Sequence, residues 1–599
     1  MSTNTSDVFS QAIERLPGLR SARGAIIPEL ERARATIQTL QTAPQTRVVL
    51  AQTQHLMEGI EQIPQTSYTF YRLFLRNGDR DNYQAPYFLK RARLAAAAVR
   101  LFLGQTELKD SVQDYLWSIC EESNWVLPAH ETYIIDLFSA ETGYVLAETL
   151  LMLGETLDAE VRHRVREEIE RRVFDPYLRY HHLHKWYKEH HNWNGVCNSS
   201  IAATFLLLES ETERLEQALK IALIGLQAFL ETAFEEDGSS TEGVAYWHYG
   251  LINFVALAEM LRARSNGAID LLAGEKMRRI AAYPARMQLS GSWFASFSDC
   301  NETVEFHPGI LMRLAERTGE RSLFNLLARP AEPESDWRLT MMLRDILWWN
   351  GSQPGANTPT DARLPDAGVV RLVTQMGQGT PVVVALKAGH NAENHNQNDV
   401  GSFIVHVEGE NLLTDPGRGL YSRAYFGPQR YENIFTNSYG HSLPRIGRHL
   451  QEAGREFAGT LLEVAPEQDG YKQAAVEFAR AYLCADLVRA ERRLLLASDV
   501  WLHDRFVFLE TPHEVEEAFV TWCDCLVDGA TALIQGQHRD LRLIIEQPQG
   551  VSFALERLEE QCRANKKPGV LKRLTVILPL ALDVEVRIRM EVLEKGECR

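Results

Sequence analysis

The sequence has no long apolar run. No stretch of roughly eighteen consecutive apolar residues occurs, which is the length that a membrane-spanning helix needs. The N-terminal segment also has no apolar core of the kind found in signal peptides. We therefore expect no membrane partner and a cytoplasmic protein.

Cysteine is scarce, and its spacing is uninformative. The eight cysteines are scattered, and the one close pair, Cys523 and Cys525, has no second pair nearby. This spacing matches neither a disulfide framework nor a zinc motif built from two CxxC pairs. We expect mostly reduced thiols, in agreement with a cytoplasmic protein.

Positive charge is in deficit. The chain has 63 Lys and Arg against 80 Asp and Glu, which gives a formal net charge of −17. The electrostatic term would oppose nucleic-acid binding, so we expect no nucleic-acid partner. An anionic small substrate stays compatible with this charge, because one local basic pocket can outweigh distant carboxylates.

What is present divides the 599 residues into two halves. From about residue 10 to 345, apolar residues recur at three- and four-residue spacing, which predicts long helices paired in hairpins. These helices could form a bundle, a solenoid or a toroid. A Gly-, Pro- and Asn-rich linker over 348–372 follows, and then short β-rich runs such as Phe403–Val407, an alternation typical of a half-buried strand. We predict a helical domain over 1–350 and an antiparallel β-sandwich over 365–599.

Three segments collect unusual polar chemistry. They are HKWYKEHHNWNGVCNSS at 184–200, FEEDGSSTEGVAYWHYG at 234–250, and the long run from Ala388 to Phe426. Each has an ordinary interpretation: histidine runs are usually polar surface, helix-spaced tyrosines usually pack, and Asp415-Pro416-Gly417 can be a turn. Residues 390–399, however, hold two His, four Asn and one Asp before a β-run. This composition is poor material for a core and indicates a site.

Taken together, the three segments resemble those of the heparinase II/III-like polysaccharide lyases, in the same order. AGHNAENHNQNDVGSFIVHVEGENLLTDPGRGLYS resembles their signature region, and HHNWNGVCNSS and EDGSSTEGVAYWHYG resemble two further segments. The resemblance covers roughly residues 90–460. It implies an (α/α) toroid of helical hairpins followed by an antiparallel β-sandwich. It also implies β-elimination at a uronic acid of an acidic oligo- or polysaccharide, such as a glycosaminoglycan or alginate.

The resemblance also implies roles for individual residues. Asn192 matches the position that neutralises the substrate carboxylate, Tyr246 the catalytic tyrosine, and His395 the catalytic histidine. Amide and imidazole donors stabilise the charge that develops on the carboxylate when the C5 proton leaves, and a tyrosine can act as base or acid. Residues expected to contact the substrate around these three are Asn194, Trp193, Tyr249, His191, His390, Tyr421 and Arg423.

The metal site of the family is altered in this sequence. Many relatives have a second histidine in the loop as a structural zinc ligand, where this chain has Gln397. Asp415 and His441 match the other two ligand positions. Because glutamine is a poor zinc ligand, a hydrogen-bonded Gln397–Asp415–His441 cluster could replace the metal. We expect that no cofactor is required and that structural zinc, if bound, is held weakly.

Two rival functions stay open at this stage. A uronyl C5-epimerase would share the proton abstraction but return a proton to the same carbon, and a non-catalytic glycan-binding protein would use the same scaffold without turnover. The combined presence of the Asn, Tyr and His candidates favours an enzyme. A homo-oligomer is compatible with the sequence, which does not identify the glycan or its linkage.

Overall fold

The structure, a computed structural model, describes residues 4–20, 24–187, 191–327, 338–353, 359–376, 379–462 and 471–595. The chain divides into two compact units. Unit 1 comprises Met1–Phe234, Tyr246–Ala282 and Glu305–Ala356, and unit 2 comprises Glu235–Ala245, Tyr283–Val304 and Asn357–Arg599. The predicted domains, 1–350 and 365–599, differ from these units in two places, because 235–245 and 283–304 are grouped with the β-rich unit.

Helices account for most of the regular structure before residue 349, as the apolar periodicity predicted. They are α1 (Thr5–Arg15), α2 (Pro28–Ala35), α3 (Ile37–Thr42), α4 (Pro44–Gln52), α5 (Tyr68–Asn77), α6 (Asp81–Phe102), α7 (Lys109–Cys120), α8 (Leu137–Leu153), α9 (Ala159–Ile169), α10 (Asp175–Tyr180), α11 (Asn192–Leu208), α12 (Thr212–Thr232), α13 (Val244–Arg264), α14 (Glu275–Met287), α15 (Pro308–Thr318), α16 (Leu339–Trp348) and, in unit 2, α17 (Glu559–Ala564).

Two helices, α8 and α11, form the interior of unit 1. Nearly all of their residues are buried, and most are apolar or small, as expected of interior helices. The two buried glutamates of α8, Glu141 and Glu148, are paired with Arg338 and Arg344. At the start of α8, Asp136 and Ser139 form a reciprocal capping box that satisfies the first turn. In α11, a Cβ added at Gly195 would lie 2.6 Å from the Phe229 ring on α12. Only glycine therefore permits this close approach of α11 to α12.

The strands are β1 (Gln288–Ser290), β2 (Trp293–Phe294), β3 (Ala362–Leu364), β4 (Val369–Met376), β5 (Thr380–Lys387), β6 (Gly389–Asn391), β7 (Phe403–Val407), β8 (Glu410–Leu413), β9 (Arg445–Ile446), β10 (Gly454–Leu461), β11 (Lys472–Glu477), β12 (Leu487–Leu496), β13 (Val500–Phe508), β14 (Val515–Thr521), β15 (Asp524–Asp528), β16 (Thr531–Gln535), β17 (Arg539–Gln547), β18 (Phe553–Arg557), β19 (Lys572–Ile577) and β20 (Asp583–Glu594).

Unit 2 is built from antiparallel sheets. Besides the β1–β2 hairpin, they have the strand orders β15-β16-β17-β20-β13-β12-β11-β10-β6, β3-β4-β5-β7-β8 and β18-β19-β14-β9. Residues of these three sheets share one apolar core, as in packed sheets. The predicted fold class, a helical region followed by an antiparallel β region, is confirmed.

Two local predictions need correction. The predicted linker over 348–372 is shorter, because β3 begins at Ala362 and β4 at Val369, while 354–358 lies outside the described residues. The predicted strand Phe403–Val407 exists, but it is buried on both faces rather than on one. The ring of His406 is buried because Ser290 and Asn411 satisfy its two nitrogens, at 2.7 and 2.8 Å.

No helix among the described residues is both long and apolar enough to cross a membrane.

Candidate active site

The polar loop between β6 and β7, residues 392–402, is folded inward. Asn396, Gln397, Asn398 and Asp399 are all buried, whereas His395 keeps part of its side chain exposed. The Asn396 amide donates to Asn398 Oδ1 at 3.0 Å, and the Asn398 amide donates to the carbonyl oxygen of Gln451 at 3.0 Å. The loop thereby satisfies amide groups that would otherwise be costly to bury. The result is a fixed frame around His395.

His395 is held by two carboxylates of unit 2. Its Nδ1 lies 3.0 Å from Asp299 Oδ2, and its Nε2 lies 3.5 Å from Glu242 Oε1. Both carboxylate side chains are buried, with 0% of Asp299 and 3% of Glu242 exposed. The His395 backbone has φ of 54°, in the left-handed region, which a non-glycine residue adopts at some cost. The structure therefore places this histidine in a specific and constrained position.

Glu242 belongs to the second polar segment of the sequence, EDGSSTEG. A further contact joins this segment to the loop, because Asn394 Nδ2 donates to Thr241 Oγ1 at 3.4 Å. The structure thus brings together, within unit 2, parts of two segments that the sequence analysis singled out separately.

Asp299 comes from another segment, FSDCNE at 297–302, which was not among the three polar segments that the sequence analysis identified. Burial disfavours its charged form, but the hydrogen bond from His395 and the positive charge of Arg430 outweigh burial and lower the pKa of Asp299. Arg430 Nη2 lies 3.0 Å from Asp299 Oδ1. An ionised carboxylate therefore faces His395. One aspartate in a short polar run gives no sequence signal of this role.

Aromatic rings surround His395 in unit 2. The ring centroid of Tyr421 lies 6.5 Å from that of His395, in a stacked arrangement, and that of Phe426 lies 6.4 Å away, edge-on. The guanidinium of Arg418 lies 4.6 Å from the centre of the Tyr421 ring. The predicted substrate residue Tyr421 is therefore beside the predicted catalytic histidine, and Phe426, 49% exposed, is an apolar neighbour that the sequence analysis missed.

The remaining predicted residues of unit 2 lie at different depths. Arg423 is exposed. His390 is on β6, half-buried, and burial together with Arg455 and Lys387 lowers its pKa. A neutral imidazole at His390 can donate and accept hydrogen bonds but adds no positive charge for an anionic sugar.

The residues at the expected zinc positions do not fit a tight metal site. His441 Nδ1 lies 2.8 Å from Asp415 Oδ2, so the two side chains bond to each other. Burial disfavours the imidazolium, but Asp415 outweighs burial and raises the pKa of His441, which opposes the neutral form that a metal requires. The Gln397 amide donates to Asp299 Oδ1 at 3.2 Å. Within the described ranges, no three His, Cys, Asp or Glu side chains gather closely enough to hold a metal ion.

A buried ammonium supplies positive charge near these residues instead. Lys387 Nζ lies 2.7 Å from Asp399 Oδ1 and 3.1 Å from Glu393 Oε2, with 2% of its side chain exposed. Asp399 and Glu393 outweigh the effect of burial and raise the pKa of Lys387, so it stays charged.

In unit 1, the first turn of α11 carries the predicted carboxylate-binding residue. His191 is the N-cap, and its Nδ1 accepts from the Trp193 backbone N–H at 3.2 Å. Asn192 follows at the first helical position and is buried. Trp193 is partly exposed, with its ring 4.8 Å from that of His130 and 5.1 Å from that of Tyr133. The positive end of the helix dipole at this turn favours an anion such as a carboxylate.

Asn194 has a different environment from the one predicted. Its side chain is fully buried, its Oδ1 accepts from Asn198 Nδ2 at 2.7 Å, and its Nδ2 donates to the Tyr187 carbonyl at 3.3 Å. Tyr177 extends the chain by donating to Asn198 Oδ1 at 2.6 Å. Direct contact of Asn194 with a substrate does not agree with this geometry, which assigns it to the interior of unit 1. His190, at the end of the same histidine run, lies outside the described residues.

The two candidate tyrosines on α13 differ in their surroundings. Tyr249 donates its hydroxyl to Glu141 Oε2 at 3.1 Å, and Arg338 and Asn253 bind the same carboxylate. Burial and the Glu141 charge raise the pKa of Tyr249 well above its usual value. Tyr249 is thus unsuited to act as a base, and its hydroxyl is engaged in a hydrogen bond within unit 1. Tyr246, in the first turn of α13, is partly exposed, and its role as the catalytic tyrosine stays a prediction.

No protein-family model and no curated protein matches this chain. Solved structures do match. A crystal structure of heparinase III is similar over 86% of this chain and 78% of its own, with a TM-score of 0.62 at 14% identity. A heparan sulfate lyase from Pedobacter heparinus is similar over 91% of this chain and 83% of its own, with a TM-score of 0.56 at 12% identity. At such identities the likeness shows the fold: this chain has the fold of the heparinase III structures.

Proposed function

We propose that this protein is a polysaccharide lyase that cleaves a uronic-acid-containing glycan by β-elimination. One observation carries the proposal: a histidine fixed between the carboxylates of Asp299 and Glu242, beside the ring of Tyr421, in a chain with the fold of heparinase III. A histidine bound to a buried carboxylate is a common arrangement for proton transfer.

The proposed reaction needs a base, an acid and a partner for the carboxylate. The C5–H bond breaks and the base takes the proton. The electron pair of that bond forms the C4=C5 double bond, the C4–O bond breaks, and the departing oxygen takes a proton from the acid. No oxidant, reductant or metal enters this balance. Charge accumulates on the uronate carboxylate when C5 loses its proton, so donors to the carboxylate lower the barrier.

Residues of this chain supply each function. We assign Asn192, at the positive end of α11, to the uronate carboxylate. Tyr246 is assigned to protonation of the leaving oxygen, because a tyrosine hydroxyl can donate a proton. His395 is assigned as the base. Tyr421 and Trp193 are assigned to sugar stacking, because aromatic faces bury the apolar faces of sugar rings.

Wild-type protein tested on a panel of uronate oligo- and polysaccharides should produce ultraviolet absorbance from a conjugated unsaturated uronate. The panel should contain heparan-type, chondroitin-type and alginate-type chains of several lengths. A lyase generates this chromophore, whereas an epimerase exchanges the C5 hydrogen with solvent and generates none. Hydrogen exchange without absorbance would replace the proposal by epimerisation, and binding with neither signal would replace it by a glycan-binding role.

On the substrate so identified, His395→Ala and Tyr246→Phe should each lower kcat on the order of 10²-fold or more, because each removes a proton-transfer group. Matched controls are His163→Ala, whose side chain is 74% exposed, and Tyr68→Phe, whose residue is 73% exposed. Both controls should retain wild-type rates. Full turnover by Tyr246→Phe would remove Tyr246 from the mechanism without affecting the assignment of His395.

A further inference from the structure

Asp299 has more hydrogen-bond donors than a buried aspartate needs to be satisfied. Its Oδ1 accepts from Tyr425 Oη at 2.5 Å, from Arg430 Nη2 at 3.0 Å and from Gln397 Nε2 at 3.2 Å. Its Oδ2 faces His395 Nδ1 at 3.0 Å. The three donors on one oxygen fix the plane of the carboxylate, and the second oxygen is directed to the histidine.

This arrangement determines which nitrogen of His395 carries a proton. A carboxylate that receives donors on both oxygens is an acceptor, so the ring nitrogen that faces it must be a donor. A neutral imidazole has one N–H, and with that N–H at Nδ1 the lone pair is at Nε2. Nε2 lies 3.5 Å from Glu242 Oε1, which is longer than an ordinary N–H···O hydrogen bond, so Glu242 does not require a proton at that nitrogen, whereas Nδ1 is within hydrogen-bond distance of Asp299.

We propose that Asp299 is the positioning residue for His395: it fixes the ring and holds it in the Nδ1–H tautomer, so that Nε2 is the nitrogen that exchanges protons with a substrate. The effect on turnover rests on the proposed lyase function, whereas the tautomer does not. Asp299 itself is fully buried and acts through the histidine.

A purely structural role predicts something different. Asp299 could serve only to join the 283–304 segment to the polar loop of unit 2. The three donors on Oδ1 already make that connection, through Gln397 in the loop and through Tyr425 and Arg430 after it. The contact between Asp299 Oδ2 and His395 Nδ1 is additional to these three bonds. If Asp299 has only a structural role, replacing it should leave the His395 tautomer unchanged. If it is the positioning residue, replacing it should change the tautomer.

The first test reads the tautomer directly. Full-length protein labelled with ¹⁵N-histidine gives ring-nitrogen resonances, and that of His395 is assigned by its loss in His395→Gln. Wild type should show a protonated Nδ1 and an unprotonated Nε2. In Asp299→Asn the amide group can donate to Nδ1, so the Nε2–H form should appear, and Asp299→Glu should return the signal toward wild type. A wild-type Nε2–H tautomer would overturn the proposal even if Asp299→Asn failed to fold.

A matched control is available in unit 1. Asp345 is a buried carboxylate whose Oδ2 lies 3.1 Å from His307 Nδ1. Asp345→Asn removes a buried carboxylate from a comparable histidine pair, so this variant reports how such a substitution affects the protein in general. The ring-nitrogen resonances of His395 should be unchanged in Asp345→Asn. A shift of His395 in this control equal to that in Asp299→Asn would also contradict the proposal.

The second test measures turnover on the uronate glycan that the panel identifies. Asp299→Asn should lower kcat on the order of 10²-fold with KM changed only a few-fold, because the substrate still binds but meets the wrong tautomer. Wild type without lyase activity would defeat the proposed function and leave the tautomer result standing. Lyase activity with an unchanged tautomer and kcat in Asp299→Asn would defeat the positioning role and leave the function standing.

Discussion

Individual buried histidines give this protein a defined response to acid. Burial lowers the pKa of His406 to about 4, and the hydrogen bond with Asn411 only partly offsets that effect. Burial lowers the pKa of His184 to about 4 as well. Both rings are neutral in the folded protein at pH 6, whereas the unfolded chain binds protons near the ordinary value of 6.5. The free-energy penalty for keeping these two rings unprotonated in the folded state is therefore absent at high pH and grows as the pH falls.

For His406, the free energy of unfolding should fall as the pH falls from about 6.5 toward 4, by up to about 3 kcal/mol. The sign follows because the unfolded state binds more protons in this window. His406→Gln should have a shallower pH dependence, although His184 keeps part of the slope. The measurement is denaturant unfolding between pH 4.5 and 7, with His163→Gln as an exposed control. Equal slopes in His406→Gln and wild type would contradict this assignment.

At the residue scale, the sequence predicted some parts of the candidate site and missed others. The loop around His395 was recognisable because so many amides precede a strand. Asp299 was not, because its role depends on a contact across 96 positions and a lone aspartate has no periodicity. Glu141 was missed for the same reason, so the different surroundings of Tyr249 and Tyr246 could not be predicted from the sequence. For Asn194, spacing along the chain did not reveal the hydrogen bonds that its side chain makes with Asn198 and the Tyr187 carbonyl.

At the scale of single elements, a buried polar chain stabilises α11. It runs from Tyr177 on α10 through Asn198 to Asn194, all within the interior of unit 1. Removing one donor from such a chain leaves a buried acceptor without its partner, which costs about 1–3 kcal/mol. Because Asn192 begins the same helix, this chain also contributes to the placement of the predicted carboxylate-binding residue.

Tyr177→Phe should therefore lower the stability of unit 1 by about 1–3 kcal/mol, because Asn198 Oδ1 loses its donor at 2.6 Å. The control is Tyr180→Phe on the same helix, where the residue is 41% exposed and about 0.5 kcal/mol or less is expected. Denaturant unfolding followed by far-ultraviolet circular dichroism reports the helical unit. Equal effects of the two substitutions would show that the buried hydroxyl is not stabilising.

The elements were predicted better than their boundaries. Long helices have strong periodicity, and strands such as β7 have strong β-branched and aromatic composition, so both were identified. The burial of β7 on its second face was not predicted, because His406 is a polar residue in the sequence. Its hydrogen bonds with Ser290 and Asn411 make its burial possible. The grouping of 235–245 and 283–304 with unit 2 depends on tertiary contacts, which local composition does not encode.

For the molecule as a whole, the folded state should not depend on a metal ion. Lys387 supplies a buried positive charge, and His441 is bonded to Asp415. Treatment with a chelator followed by dialysis should leave the thermal unfolding midpoint unchanged, and zinc should be well below one equivalent in protein purified without chelator. A stoichiometric metal content with a lower midpoint after chelation would show that Asp415, His441 and Gln397 do hold a metal. Magnesium-treated protein serves as the control for ionic strength.

The distribution of unit 2 over three chain segments affects how the protein can be made and divided. Glu242 and Asp299 are synthesised long before His395, so on the ribosome these carboxylates precede the histidine that they bind. Unit 2 can be completed only after the helical segments between its pieces have left the exit tunnel. A gene fragment starting at residue 357 would encode nearly all of the strands but neither carboxylate. The β-rich unit is therefore not an exchangeable module, and domain swaps between related chains would have to transfer 235–245 and 283–304 with it.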